Sequence, residues 1–253
     1  MNALVTPEIR VLVAKEIRQL LRSRGALVSS LILPVIFLLV VPAIQYFSFA
    51  GGPRTPTGGA NSIPGGAPPG VAGLKVSGLL AYYLLPMFTA LAGIIMPSVT
   101  SLYTIVQERE RKTLELLVAL PVRLTDILYA KLGATLLVAL AVMLPLFAIQ
   151  AVGVLLVGLA GPLWVLWELM LLVCGIACSI CISFVLALLA RDFRTSQQIN
   201  GALLMPNLLL VNFVLLVLPV EIKVPVLALL LLLLGAAILL VAVRRLTFER
   251  YLS

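Results

Sequence analysis

No histidine occurs among the 253 residues, and charged side chains make up only 11% of them. The first absence removes imidazole chemistry: no Ser-His-Asp triad and no H-E-x-x-H zinc site can be built. The second excludes an ordinary soluble domain, in which about a quarter of residues are charged. A G-x-x-x-x-G-K-[ST] loop is also missing, so ATP is not bound by that device. Cysteine is scarce, and Cys174, Cys178 and Cys181 share one apolar run. Their i, i+4, i+7 spacing offers three thiols, whereas a structural zinc site closes with four ligands and no histidine can supply the fourth. They read as small packing residues. With no paired carboxylates either, the sequence designates no catalytic residue, no cofactor and no metal, and the chain is not expected to be an enzyme.

What remains is apolar. Hydrophobic residues reach 62% and the mean hydropathy is +1.19. A hydrocarbon core about 30 Å thick needs roughly 20 apolar residues per helical crossing, and such runs recur along the chain. They do not alternate polar with apolar, which excludes a transmembrane β-barrel. Six spans are expected near 26–47, 78–105, 132–158, 163–190, 199–218 and 225–243, giving an all-α polytopic membrane protein. A cleavage pattern after the first span, at Ser48 to Gly52, follows an apolar run too long for a signal peptide.

Lysine and arginine orient these spans. Fifteen of the eighteen fall before span one, between spans two and three, after span four or after span six; only Arg54, Lys75 and Lys223 lie on the other side. By the positive-inside rule both termini are cytoplasmic. The net charge of +8 is thereby a topology signal, and no nucleic-acid partner is read from it. The chain forms one transmembrane domain, 1–253, with four appendages. Residues 1–25 alternate Ile9, Leu12, Val13, Ile17 and Leu20 with Arg10, Lys15, Arg18 and Arg22, the pattern of an amphipathic helix lying on the cytoplasmic surface. Residues 48–77 are rich in glycine and proline and form an external loop without regular structure. Residues 106–131 are a charged cytoplasmic loop, and 244–253 a basic tail.

Inside the spans polar groups are few. Gly175, Ser179, Ser183 and Ala187 repeat every four residues in span four, a small-residue face that lets a second helix approach closely. Asn200, Asn207 and Asn212 in span five either line a translocation path or hydrogen-bond between helices. Glu168 is the only acid within a span and is expected at the external interface beside Trp164 and Trp167. The lack of buried acid–base pairs argues against coupling to protons or sodium.

The exception to this poverty of charge is Gln107 to Lys131, where nine charges occupy 25 residues. Both signs occur, so the segment is more than a positive-inside tag. Leu114, Leu117 and Val118 fall at i, i+3, i+4 and Pro121 ends the run, which describes a short helix on the membrane surface. Such a helix either transmits force from a soluble partner or is a salt-bridged loop with none.

Glu108-Arg109-Glu110, then Thr113-Leu114-Glu115-Leu116-Leu117, Pro121-Val122 and Lys131 resemble the cytoplasmic loop of ABC-2 type transporter permeases. The basic leader, the six spans and the basic tail fit the same family. Lys112 stands where that family usually has glycine, and its small-residue, aromatic and proline signature near the end of span five is absent from Pro206 to Pro219. The resemblance implies the membrane subunit of an ABC exporter in a prokaryotic plasma membrane, pairing with a second copy or a paralogue and with a separate ATPase that uses the ATP. It implies that Glu108, Arg109, Glu110, Thr113, Glu115 and Pro121 form the ATPase-coupling element. The alternative is a secondary transporter or channel without an ATPase partner.

Overall fold

A computed structural model describes residues 31–51, 76–110, 124–189 and 193–245, and every regular element among them is helical. The amphipathic leader 1–25, most of the glycine- and proline-rich loop and the basic tail lie outside the described residues. We number six helices: α1 over residues 31–51, α2 over residues 76–110, α3 Leu124–Val157, α4 Pro162–Leu189, α5 Phe193–Val217 and α6 Lys223–Arg245. Five contain stretches long and apolar enough to cross a membrane: Leu80–Ser98, Leu132–Val157, Pro162–Ser183, Gln198–Val217 and Lys223–Leu240. The apolar part of α1, Leu31–Phe47, is shorter. Six helices thus stand where six spans are expected, with a shorter described first one.

Two tight reversals mark one end of the bundle, called here the turn end. At Val157 the chain stops α3 through Gly158, whose φ of 69° suits a residue without Cβ. Gly158 N–H donates to the Leu155 carbonyl and Leu159 N–H to that of Val154, the paired bonds of a Schellman motif. Pro162 then opens α4 at the first helical position, where its missing N–H costs nothing. Pro219 ends α5, and the Ile222 and Lys223 N–H groups donate back to its carbonyl as α6 begins. With three residues between Pro219 and α6 there is no room for a re-entrant pair.

Both α1 and α2 contain a π-helical turn, Ile36–Val40 and Leu80–Leu84. In each, the amide that closes the turn reaches back five residues: Val41 to Ile36 and Leu85 to Leu80. A proline follows immediately in both places, Pro42 and Pro86. A proline ring clashes with the carbonyl four residues earlier. Widening the preceding turn relieves that clash and accounts for the paired π segments.

Packing centres on α2 and α4. At their crossing Gly93 faces Leu172 and Gly175, and a Cβ built on Gly93 would stand 3.1 Å from the Leu172 carbonyl oxygen. On its other side α4 meets α6 so closely that a Cβ on Gly235 would fall 2.8 Å from the Cys178 Cα. Helices in lipid gain little from apolar burial against one another, so this close approach and its dispersion contacts hold them. Two apolar clusters result. One joins α2, α4, α5 and α6 through Ile94, Leu171, Cys178, Val211, Leu215 and Leu227. The other joins α1, α2, α3 and α4 through Leu38, Met96, Met143, Leu172 and Ile176. The outer faces stay apolar: Leu156, Leu209, Phe213 and Leu233 are all exposed, as lipid-facing side chains should be.

Candidate functional site

The charged segment begins on α2. Glu108, Arg109 and Glu110 are the last three residues of that helix, which runs unbroken from Leu85. Thr113, Glu115 and Pro121 lie outside the described residues, and α3 resumes at Leu124. Glu108–Glu110 therefore extend the backbone of the helix that packs most deeply in the bundle.

The small-residue face of α4 is turned toward α2 at three of its four positions. Gly175 meets Gly93, and the Ser179 hydroxyl donates to the Ile94 carbonyl. Ser183, fully buried, reaches a small cavity shared with Ser98, Ser179, Asn200 and Asn207. Nothing is described of the Ala187 side chain. Ser98 donates to its own helix at the Ile95 carbonyl, 2.7 Å away. The Ser183 hydroxyl makes no hydrogen bond.

The three asparagines separate. Asn200 and Asn207 line the cavity just described, and the Asn207 amide donates to the Leu203 carbonyl one turn back, at 3.1 Å. Asn212 lies nearer the turn end. Its amide donates to the Leu208 carbonyl at 2.9 Å, and its side-chain oxygen accepts from the Tyr83 hydroxyl at 3.0 Å. Back-bonding of this kind satisfies an amide within its own helix. Asn200 and Asn207 share a helix face, whereas Asn212, five residues further on, lies about 140° round the helix and meets a different neighbour.

Glu168 requires a correction. The sequence places it at a membrane–water interface and finds no buried acid–base pair, yet the carboxylate is 1% exposed and Lys223 0%. The two face each other across the α4–α6 contact, with Thr89 of α2 beside the carboxylate. Neither carboxylate oxygen and not the Thr89 hydroxyl completes a well-formed hydrogen bond. Above them the ring of Trp164 stands edge-on to Tyr82, centroids 6.2 Å apart. The reason for the difference is lateral. Residues near a helix end are shallow in the bilayer, but three converging helices still cover them from both water and lipid. A sign was present in the sequence: a lone acid six residues into α4 and a lone base opening α6, both at the turn end.

Chemically, this interior holds packing contacts and one buried acid beside one buried base. Among the described residues no group of three His, Cys, Asp or Glu side chains could hold a metal.

A family model described as ABC-2 type transporter matches residues 7–218. No curated protein matches the chain. The match takes in the charged segment and all helices as far as α5, most of the chain. Its apolar helices and this match together make the protein an integral membrane component of a transport system, not itself catalytic. The chain belongs to the ABC-2 type transporter family.

Proposed function

We propose that this permease is the membrane half of an exporter, working as a pair of copies or with a paralogue and powered by a separate ATPase. Both termini and the 106–131 loop face the cytoplasm, so the turn end is external. Glu108, Arg109, Glu110, Thr113 and Glu115, with Pro121 ending their helix, receive the ATPase stroke. The observation that carries the reading is the continuity of Glu108–Glu110 with α2. A soluble partner gripping these charges holds the end of the helix on which both apolar clusters are built. Alternating access then follows as ATP binding shifts the population between two packings of the bundle. Asn200 and Asn207 flank the most polar interior cavity and are the proposed path residues; Asn212 bears on the path through Tyr83.

A second reading draws on the buried Glu168–Lys223 pair. Intramembrane ionisable residues mark ion pathways, and a secondary transporter would use them. Purification of the tagged chain in a mild detergent, with mass spectrometry of stoichiometric partners, decides between the two. An ATPase bearing a P-loop, retained by the wild type and lost from the Glu108→Lys/Glu110→Lys double variant, is expected. A chain that purifies alone, while known complexes survive the same detergent, transfers the weight to Glu168 and Lys223.

A further inference from the structure

A second cavity opens between α1, the π-helical turn of α2 and the turn-end half of α3, with a volume of about 220 Å³. Leu38 and Leu39 come from one π turn and Leu80 from the other, so both irregular segments of the bundle line the same space. Such turns re-aim side chains and gather at functional sites. The wall is apolar except at the Tyr46 hydroxyl and Gln150. Gln150 is 8% exposed, and its side-chain carbonyl oxygen makes no hydrogen bond. It differs in this from Asn212, whose side-chain oxygen accepts from the Tyr83 hydroxyl. An unsatisfied carbonyl is costly in hydrocarbon, where no water competes to pair it.

The mouth faces sideways. Phe47, Ile149 and Val157 on its rim are exposed, and among the described residues no charged side chain lines the cavity. Gln150 precedes the end of α3 by seven residues, which places it roughly 10 Å below the turn end at 1.5 Å per residue. A guest must therefore arrive from one leaflet, fill an apolar space and present one neutral hydrogen-bond donor. Charged headgroups find no counter-charge among the described lining residues, and a bare hydrocarbon chain leaves the Gln150 carbonyl as it was.

We propose that this cavity is a binding site for a membrane-dissolved amphiphile of the alkanol class: an apolar body with a single hydroxyl that donates to Gln150. The inference needs neither an ATPase nor a second copy of the chain.

Its test uses the full-length purified chain and a diazirine-bearing octanol as photolabel, with peptide mapping of the adduct. Label is expected on the α1 and α3 walls, at Tyr46 or within 150–159. It should be competed by 1-octanol but not by octyl methyl ether, which has the chain and no donor. Gln150→Leu should weaken octanol competition by about 3- to 10-fold, the loss of one neutral hydrogen bond. Gly153→Leu should abolish labelling while the protein stays folded, since Gly153 lines the cavity and a Cβ there meets nothing within 4 Å. Labelling spread evenly over lipid-facing residues such as Leu209 and Phe213 would overturn the proposal. Equal competition by the ether, or undiminished labelling of a folded Gly153→Leu protein, would do the same.

Discussion

Glu168 and Lys223 give the sharpest stability test. Consider Lys223→Met, Glu168→Gln and the double variant. Each partner is almost wholly buried, 0% and 1% exposed, so removing Lys223 leaves the acid among α2, α4 and α6 either charged without its counter-charge or neutralised by a proton. Breaking a buried pair from one side costs about 3–5 kcal/mol, because the remaining charge keeps its desolvation penalty. Replacing both partners with neutral groups of similar shape removes the penalty along with the attraction, and is often close to neutral. For a chain of this size 1 kcal/mol corresponds to roughly 2–4 °C, so the Lys223→Met variant should melt about 6–20 °C below wild type. The double variant should recover at least half of that loss. Thermal unfolding followed by size-exclusion of the fluorescently tagged protein, in one detergent at one pH, reads all four members of the cycle. A Lys223→Met protein melting within about 2 °C of wild type would show that the pair is not held as described. A double variant whose loss equals the sum of the singles would show the two residues to be energetically independent.

Three further outcomes follow from the packing. Gly235→Ala should separate α6 from α4 and lower the yield of folded protein by more than Gly201→Ala. The first Cβ meets Cys178 Cα at 2.8 Å, whereas the second meets nothing within 4 Å; equal yields would refute the close crossing. Ser183→Ala should leave stability unchanged or raise it by about 1 kcal/mol, since its buried hydroxyl has no partner to lose. A clear drop in melting temperature would mean that a water or ligand in the cavity bonds to that hydroxyl. Tyr83→Phe and Asn212→Leu should each destabilise by about 0.5–1.5 kcal/mol and do so non-additively, as expected of the two ends of one hydrogen bond.

The spans were legible because hydropathy over a membrane thickness is a signal summed over some twenty residues, and no single substitution disturbs it. Helix ends were less plain: α3 starts at Leu124 and α5 at Phe193, several residues before the apolar runs expected from 132 and 199, because a helix continues past the apolar stretch that reveals it. The lateral arrangement was not legible. In a soluble helix the buried face shows as an apolar stripe, but in these helices lipid-facing and protein-facing sides are both apolar. Helical spacing puts Asn200 and Asn207 on one face and Asn212 off it, but the sequence did not show what each face meets, nor tell the Gly235 contact from an ordinary glycine. Glu168 failed for a related reason. Its depth could be counted along α4, but its cover comes from α2 and α6, which are distant in sequence. The prolines that set the π turns, Pro42 and Pro86, were visible; Pro97, Pro145 and Pro206, also inside apolar helices, accompany no such turn, so proline alone did not mark them.

The position of α2 connects these observations. It contributes Ile94 to one apolar cluster and Met96 to the other, so the two halves of the bundle cannot rearrange without it. The same helix carries Glu108–Glu110 at its far end and Thr89, beside Glu168, near the turn end. Thr89 and Glu110 stand 21 residues apart, roughly 32 Å along the axis. Whether a push at one end reaches the other depends on bending between them, and the weak point is Pro97, which cannot bond to the Gly93 carbonyl. Gly93 is also where α2 lies tightest on α4. The step most prone to bend is thus braced at the closest helix crossing on that side, and α2 is better suited to move as one rod with α4 than to flex alone.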